Sequence, residues 1–177
     1  MNAKNLKKFQ FYIEYPKKFI QILHDGDKHW FTISNLNSTN KNQIQVYDSY
    51  FMNSTYIDNQ KFKSNLKKLL FPPNNEINNN NLVIDLTNEN QQCEIECIIE
   101  PVQKQSNTTL CGLYAIAFAY DLCEGFSPVY RNYDESKMRA HLVKCLEQKF
   151  FEEFPRANNM SNAKSAPKAQ IIYIDCK

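Results

Sequence analysis

The sequence predicts an α+β domain in which an antiparallel sheet packs on a helix, and three observations predict it. Residues 29–34 and 43–49 both alternate apolar with polar side chains and are rich in β-formers, with a polar, Asn-rich stretch between them, the pattern of an antiparallel hairpin. Residues 111–122 instead carry Cys111, Tyr114, Ala115, Phe118, Ala119 and Leu122, the i, i+3, i+4, i+7, i+8, i+11 stripe of one helix face. The chain has 177 residues, 42% hydrophobic and 13% aromatic, which is enough to bury a core without covalent cross-links and removes it from disordered compositions.

In chain order, residues 18–24 read as a strand that the turn Asp25-Gly26-Asp27 leads into the hairpin. If Ile33 faces Ile44 in that hairpin, Phe31 faces Val46 and His29 faces Asp48. One register then aligns two apolar pairs, expected to bury against the 111–122 helix, and leaves His29 and Asp48 at the open end of the ladder. Residues 56–71 carry Tyr56, Ile57, Phe62, Leu66, Leu69 and Leu70, suggesting a helix that ends before Pro72-Pro73. Residues 74–81, nearly all Asn, predict a surface loop. Residues 82–86 and 94–102 are the next strands, the second delivering the chain towards Gln105. Thr108 or Thr109 is the expected N-cap of the helix that Cys111 opens, and Gly112, a poor helix former, implies a close approach by another backbone or a ligand. Residues 134–150 predict a second helix, capped by Asp134 and burying Met138, His141 or Leu142, Cys145 and Phe150. The small, polar 157–170 stretch reads as a linker, and 171–176 as a final strand or the start of a Cys-rich appendage, so the main domain is expected over 1–156.

A net charge of +2 and a pI near 8.1 are too mild for a nucleic-acid surface, and the pairs Lys17-Lys18 and Lys67-Lys68 read as solvated faces. No stretch approaches the ~18 apolar residues of a membrane span, and Met1-Asn2-Ala3-Lys4 lacks the apolar region of a secretory signal. Six cysteines without such a signal read as reduced thiols, which points to nucleus or cytoplasm. Cys93 and Cys97 lie on a predicted strand with no nearby His or second Cys pair, so no metal is expected there. Cys123 and Cys145 read as filler on packed helices, and His24 and His141 as ordinary core or surface histidines.

The chemistry lies in four residues. A thiol attacks a carbonyl usefully as the thiolate, which a helix N-terminus and an adjacent imidazolium both favour; Cys111 stands in the first turn of its helix. His29 is the candidate base, and Asp48, across the predicted ladder, would fix its tautomer and stabilise the imidazolium. Asp25 or Asp27 could take that orienting role, but neither gains the cross-strand register. Gln105, six residues before Cys111, could offer its amide N–H to an oxyanion together with the Cys111 backbone N–H. Trp30, beside the base, is a candidate substrate contact, as is Gly112.

His29-Trp30, Val46-Tyr47-Asp48-Ser49 and the run Gln105-Ser106-Asn107-Thr108-Thr109-Leu110-Cys111-Gly112-Leu113-Tyr114 resemble the three blocks of the SUMO and ubiquitin-like-protein proteases, the cysteine peptidase group that includes the adenovirus protease. The likeness runs from about Gln21 to Pro155. It is closer to the transposon-derived metazoan versions, through Leu113-Tyr114-Ala115-Ile116-Ala117-Phe118-Ala119 and the run from Lys137 to Leu146. The resemblance implies a papain-like, adenain-like fold, with the nucleophile on a helix packed on an antiparallel sheet bearing His and Asp. It implies cleavage after the terminal Gly of a ubiquitin-like modifier, at a peptide or isopeptide bond, by a monomer that needs no cofactor. Relatives carry a helical segment before the His block and an Asp before the nucleophile; here 28 residues precede His29, so a shortened front segment is expected, and Leu110 precedes Cys111. That shortening motivates a second reading, an inactive remnant of the fold that binds a partner, while related His-acid-Cys folds supply a third, an acyltransferase.

Overall fold

The computed structural model describes residues 18–25, 28–38, 42–50, 63, 94–157 and 168–175. Their elements are β1 (Ile20–His24), β2 (Trp30–Ser34), β3 (Gln43–Tyr47), β4 (Glu94–Glu100), α1 (Cys111–Cys123), a 3-10 turn (Pro128–Tyr130), α2 (Glu135–Gln148) and β5 (Gln170–Asp175). The fold is α+β: a mixed sheet in the order β1-β2-β3-β4-β5 with the two helices packed against it. The expected helix over 56–71, the Asn loop, the strand over 82–86 and Cys93 lie outside the described residues, apart from helical Lys63. Among the described residues no helix is long and apolar enough to cross a membrane.

The sheet is not wholly antiparallel as expected. β1–β2, β2–β3 and β4–β5 pair antiparallel, but β3 and β4 run parallel from Gln43↔Glu96 to Tyr47↔Glu100. Parallel neighbours cannot be joined by a tight turn, and residues 48–93 separate these two in the chain. Of the two expectations for the C-terminal segment, the strand is observed: β5 pairs with β4 over six residues.

The β2–β3 hairpin forms, but two residues out of the expected register, with Ile33 opposite Val46 and Thr32 opposite Tyr47. A slip of two preserves which side chains share a face. That face, however, is not the one α1 covers. Phe31, Ile33, Ile44 and Val46 join Ile95, Cys97, Ile99 and Ile174 in one buried cluster, whereas α1 belongs to a second cluster that includes Tyr47, Leu113, Tyr114, Phe118, Tyr133 and Met138. The alternate residues Thr32, Ser34, Gln43 and Gln45 are buried as well, so this is a sheet with two covered faces. Small residues on α1 allow close approach, and the Thr32 hydroxyl donates to the Ala115 carbonyl of the helix at 2.7 Å. A buried hydroxyl needs such a partner.

Of the expected stripe on α1, Cys111, Tyr114, Ala115, Phe118 and Leu122 are buried and Ala119 only partly so, while Leu113, Ala117 and Asp121 are inside as well; Cys123, expected as core filler, is exposed at its end. Buried Asp121 accepts from the Tyr133 hydroxyl at 2.6 Å and pairs with Arg131 at 3.5 Å and Arg156 at 3.7 Å, tying α1 to the chain on both sides of α2. α2 starts where expected: Asp134 is the N-cap and accepts from Ser136 N at 3.2 Å. Met138 and Cys145 are buried and His141 and Leu142 partly so, but Phe150 is 66% exposed, because left-handed Lys149 ends the helix at Gln148 and turns the chain away.

Two outcomes test this packing. By denaturant titration, Phe118→Ala is expected to cost about 3–5 kcal/mol for its cavity, whereas the isosteric Thr32→Val should cost only about 0.5–1.5 kcal/mol for one hydrogen bond. The Asp134 carboxyl is held below its usual range by bonds to the Lys137 and Ser136 side chains. Its contribution to stability is therefore complete above a pH of about 4 and fades as pH falls through the lowered value. Melting curves of Asp134→Ala should lie below wild type at neutral pH and converge with it in acid.

Candidate active site

The site forms where the hairpin ends meet the start of α1. Asp25 closes the β1–β2 turn: its Oδ1 accepts from the backbone N–H of Lys28 and His29, both at 3.1 Å. That bonding sets the direction in which the chain enters β2, and it gives Asp25 a backbone role. The imidazole meets Asp48 instead, His29 Nε2 donating to Oδ1 at 2.8 Å. In the observed register Asp48 lies beyond the last ladder pair, Thr32↔Tyr47, so the contact arises by side-chain reach rather than by the direct cross-strand pairing expected.

Asp48 is 0% exposed, and its Oδ1 also accepts from Tyr50 N at 2.7 Å. Lys104 Nζ donates to the Asp48 carbonyl at 3.0 Å. Burial pulls the Lys104 ammonium below its usual range and the nearby Asp48 charge pulls it back up. Since Asp48 accepts from Nε2, a neutral His29 ring has its basic lone pair on Nδ1.

Cys111 is the first residue of α1 and 6% exposed, with Sγ 3.9 Å from the carbonyl oxygen of Lys28, the residue before His29. The sulfur therefore lies within one side chain's reach of the imidazole-bearing residue. The expected threonine cap is not observed. Thr109 turns back, its N–H and hydroxyl both donating to Asn107 Oδ1 at 3.0 and 2.8 Å, and Leu110 occupies the N-cap position without a side-chain acceptor. The first turn of α1 thus keeps its positive end beside the thiol.

Gly112 faces Trp30: a Cβ placed there would stand 3.8 Å from the indole Cδ1, an ordinary contact, so the approach is looser than the glycine implied. Trp30 is 43% exposed and packs on His24, ring centroids 4.6 Å apart. Tyr50, equally exposed, packs beside the His29 imidazole with centroids 5.9 Å apart. The structure thus groups His29 with Asp48, and Cys111 and Gly112 with the residues flanking His29. Gln105 is held instead by Ser49, whose hydroxyl donates to Oε1 at 2.7 Å, while its Nε2 donates to the Asn107 carbonyl at 2.5 Å.

Sequence reasoning missed Lys104, Ser49 and Tyr50, as well as Glu135, which braces the loop before the thiol. Glu135 accepts from Ser106 N at 2.9 Å, from the Ser106 hydroxyl and from Tyr114 OH at 2.8 Å. Burial and that bond together raise the Tyr114 phenol well above its usual range. No spacing rule points to Glu135, which lies 29 residues from Ser106. Among the described residues no cluster of His, Cys, Asp and Glu could hold a metal ion. No protein-family model, curated protein or solved structure matches the chain.

Trp30 is the chain's single tryptophan, so its emission reports on this site. Alkylation of Cys111 by iodoacetamide is expected to shift Trp30 fluorescence, and the same treatment of Cys111→Ser should leave the spectrum unchanged.

Proposed function

We propose that this chain is a cysteine peptidase of the ubiquitin-like-protein protease type, with an adenain-like arrangement in which a helix bearing Cys111 meets a sheet bearing His29 and Asp48. The observation that carries the reading is the 2.8 Å bond between His29 and the fully buried Asp48, made beside the N-terminus of the helix that Cys111 opens. His29 Nδ1 takes the thiol proton and the Cys111 thiolate attacks the carbonyl of the modifier's terminal Gly. The Cys111 backbone N–H and the Gln105 amide hold the oxyanion, and the imidazolium protonates the departing amine. Water, deprotonated by His29, then hydrolyses the thioester, releasing the modifier's carboxylate and restoring the thiol. Asp48 orients the ring throughout and stabilises its cationic form. Trp30 and Gly112, which lie side by side, would flank the incoming Gly. The partner is a ubiquitin-like modifier or its conjugate, met in nucleus or cytoplasm, and the chemistry requires no metal or organic cofactor.

The near-complete burial of Cys111 favours a second reading, a module that binds a modifier without cleaving it. Vinyl-sulfone probes built on the C-termini of SUMO and ubiquitin separate the two. A covalent adduct that disappears in Cys111→Ser and forms at least ~100-fold more slowly in His29→Ala is the expected result. Binding without an adduct supports the second reading, and an adduct that persists in Cys111→Ser removes Cys111 as the nucleophile.

A further inference from the structure

We propose that Ser49 is a positioning residue that holds the Gln105 amide in the orientation the Asn107 carbonyl selects, an inference whose catalytic consequence rests on the peptidase reading. A primary amide can occupy its place in two ways that exchange oxygen and nitrogen. The Asn107 carbonyl accepts and cannot donate, so the Gln105 group facing it must be Nε2. Oε1 then faces Ser49, and the Ser49 hydroxyl, 2.7 Å away, is obliged to donate. Ser49 is 2% exposed, so its hydroxyl is directed to Oε1 rather than to bulk water. An amide nitrogen carries two hydrogens, of which the Asn107 bond uses one, so an amide locked in this sense retains a donor for an oxyanion; the flipped amide would present its oxygen.

The lock is part of a larger clamp. Gln105 N–H donates to the Ser49 carbonyl at 2.9 Å, and Lys104 Nζ to the Asp48 carbonyl at 3.0 Å. With the hydroxyl bond, three hydrogen bonds join residues 48–49 to 104–105. The acid that orients His29 and the amide that would hold the oxyanion are therefore neighbours in one cross-linked unit.

The test uses the full chain with Ser49→Ala, Gln105→Ala and the double variant, assayed on a modifier carrying a C-terminal aminocoumarin. Ser49→Ala is expected to lower kcat about tenfold or more, towards the larger loss from removing the donor itself, with KM unchanged. The double variant should be no slower than Gln105→Ala, because the two act through one group. Alkylation of Cys111 by iodoacetamide, which needs the thiolate but no oxyanion donor, should keep its rate in all three. Full kcat in Ser49→Ala, or losses that multiply in the double variant, would overturn the assignment. If the wild-type chain turns over no substrate, the peptidase reading fails on its own. The positioning is then read from the Gln105 side-chain NH2 by 15N relaxation: rigid in wild type and mobile in Ser49→Ala supports it, and equal mobility in both overturns it.

Discussion

A carboxylate removed from water must be satisfied where it stands, and the end of β3 is organised around one. Asp48 is fully buried, and an ion in that position costs several kcal/mol unless hydrogen bonds and opposite charge offset it. The His29 ring and the Tyr50 backbone N–H share its Oδ1, while Oδ2 has no hydrogen-bond partner among the described residues. The Lys104 ammonium, bound to the Asp48 carbonyl, supplies the opposite charge. Satisfying this one group therefore draws together the entry to β2, the exit from β3 and the segment after β4. Those are the three pieces of chain that meet at the start of α1.

The sheet can hold these pieces because both of its faces are covered. One face is hydrocarbon, built by Ile33, Ile44, Val46 and Ile95 with Phe31 and Cys97, and each fully buried aliphatic side chain there is worth about 1.5–3 kcal/mol over exposure. The other is mixed, with Thr32, Ser34 and Gln45 buried alongside Tyr47. A polar face tolerates burial only where each group finds a partner; the Thr32 hydroxyl finds the Ala115 carbonyl, and Ser34 Oγ the Phe19 carbonyl at 3.0 Å. The Thr32 bond is directional, so it fixes where α1 lies along β2 more tightly than apolar contact would.

The segment between β4 and α1 is braced from below in the same manner. Gln103 brackets Tyr133, accepting from its N–H and donating to its carbonyl at 3.2 Å, and Glu135 holds Ser106 against Tyr114. The loop that presents Cys111 is thus cross-linked to the start of α2, while the residues on its other side are bound to the end of β3. A thiol at the end of so constrained a loop is held in a fixed position, which would suit the proposed chemistry, dependent as it is on fixed separations.

Much of this was legible locally. Alternation identified β2 and β3, the helical stripe identified α1, Asp134 declared the start of α2, and His29, Asp48, Gln105 and Cys111 stood out by chemical type and order. These signals are carried by a residue and its near neighbours in the chain, where backbone propensity and side-chain period act. The tertiary structure alone decided the two-residue register of the hairpin, the parallel pairing of β4, the face that α1 covers, and the roles of Lys104, Ser49 and Glu135. Alternation marks a face as polar without saying whether water or a helix will meet it. A hydrogen bond between residues 29 or 56 positions apart leaves no periodic trace in either segment, because its energy exists only once the chain has closed around it.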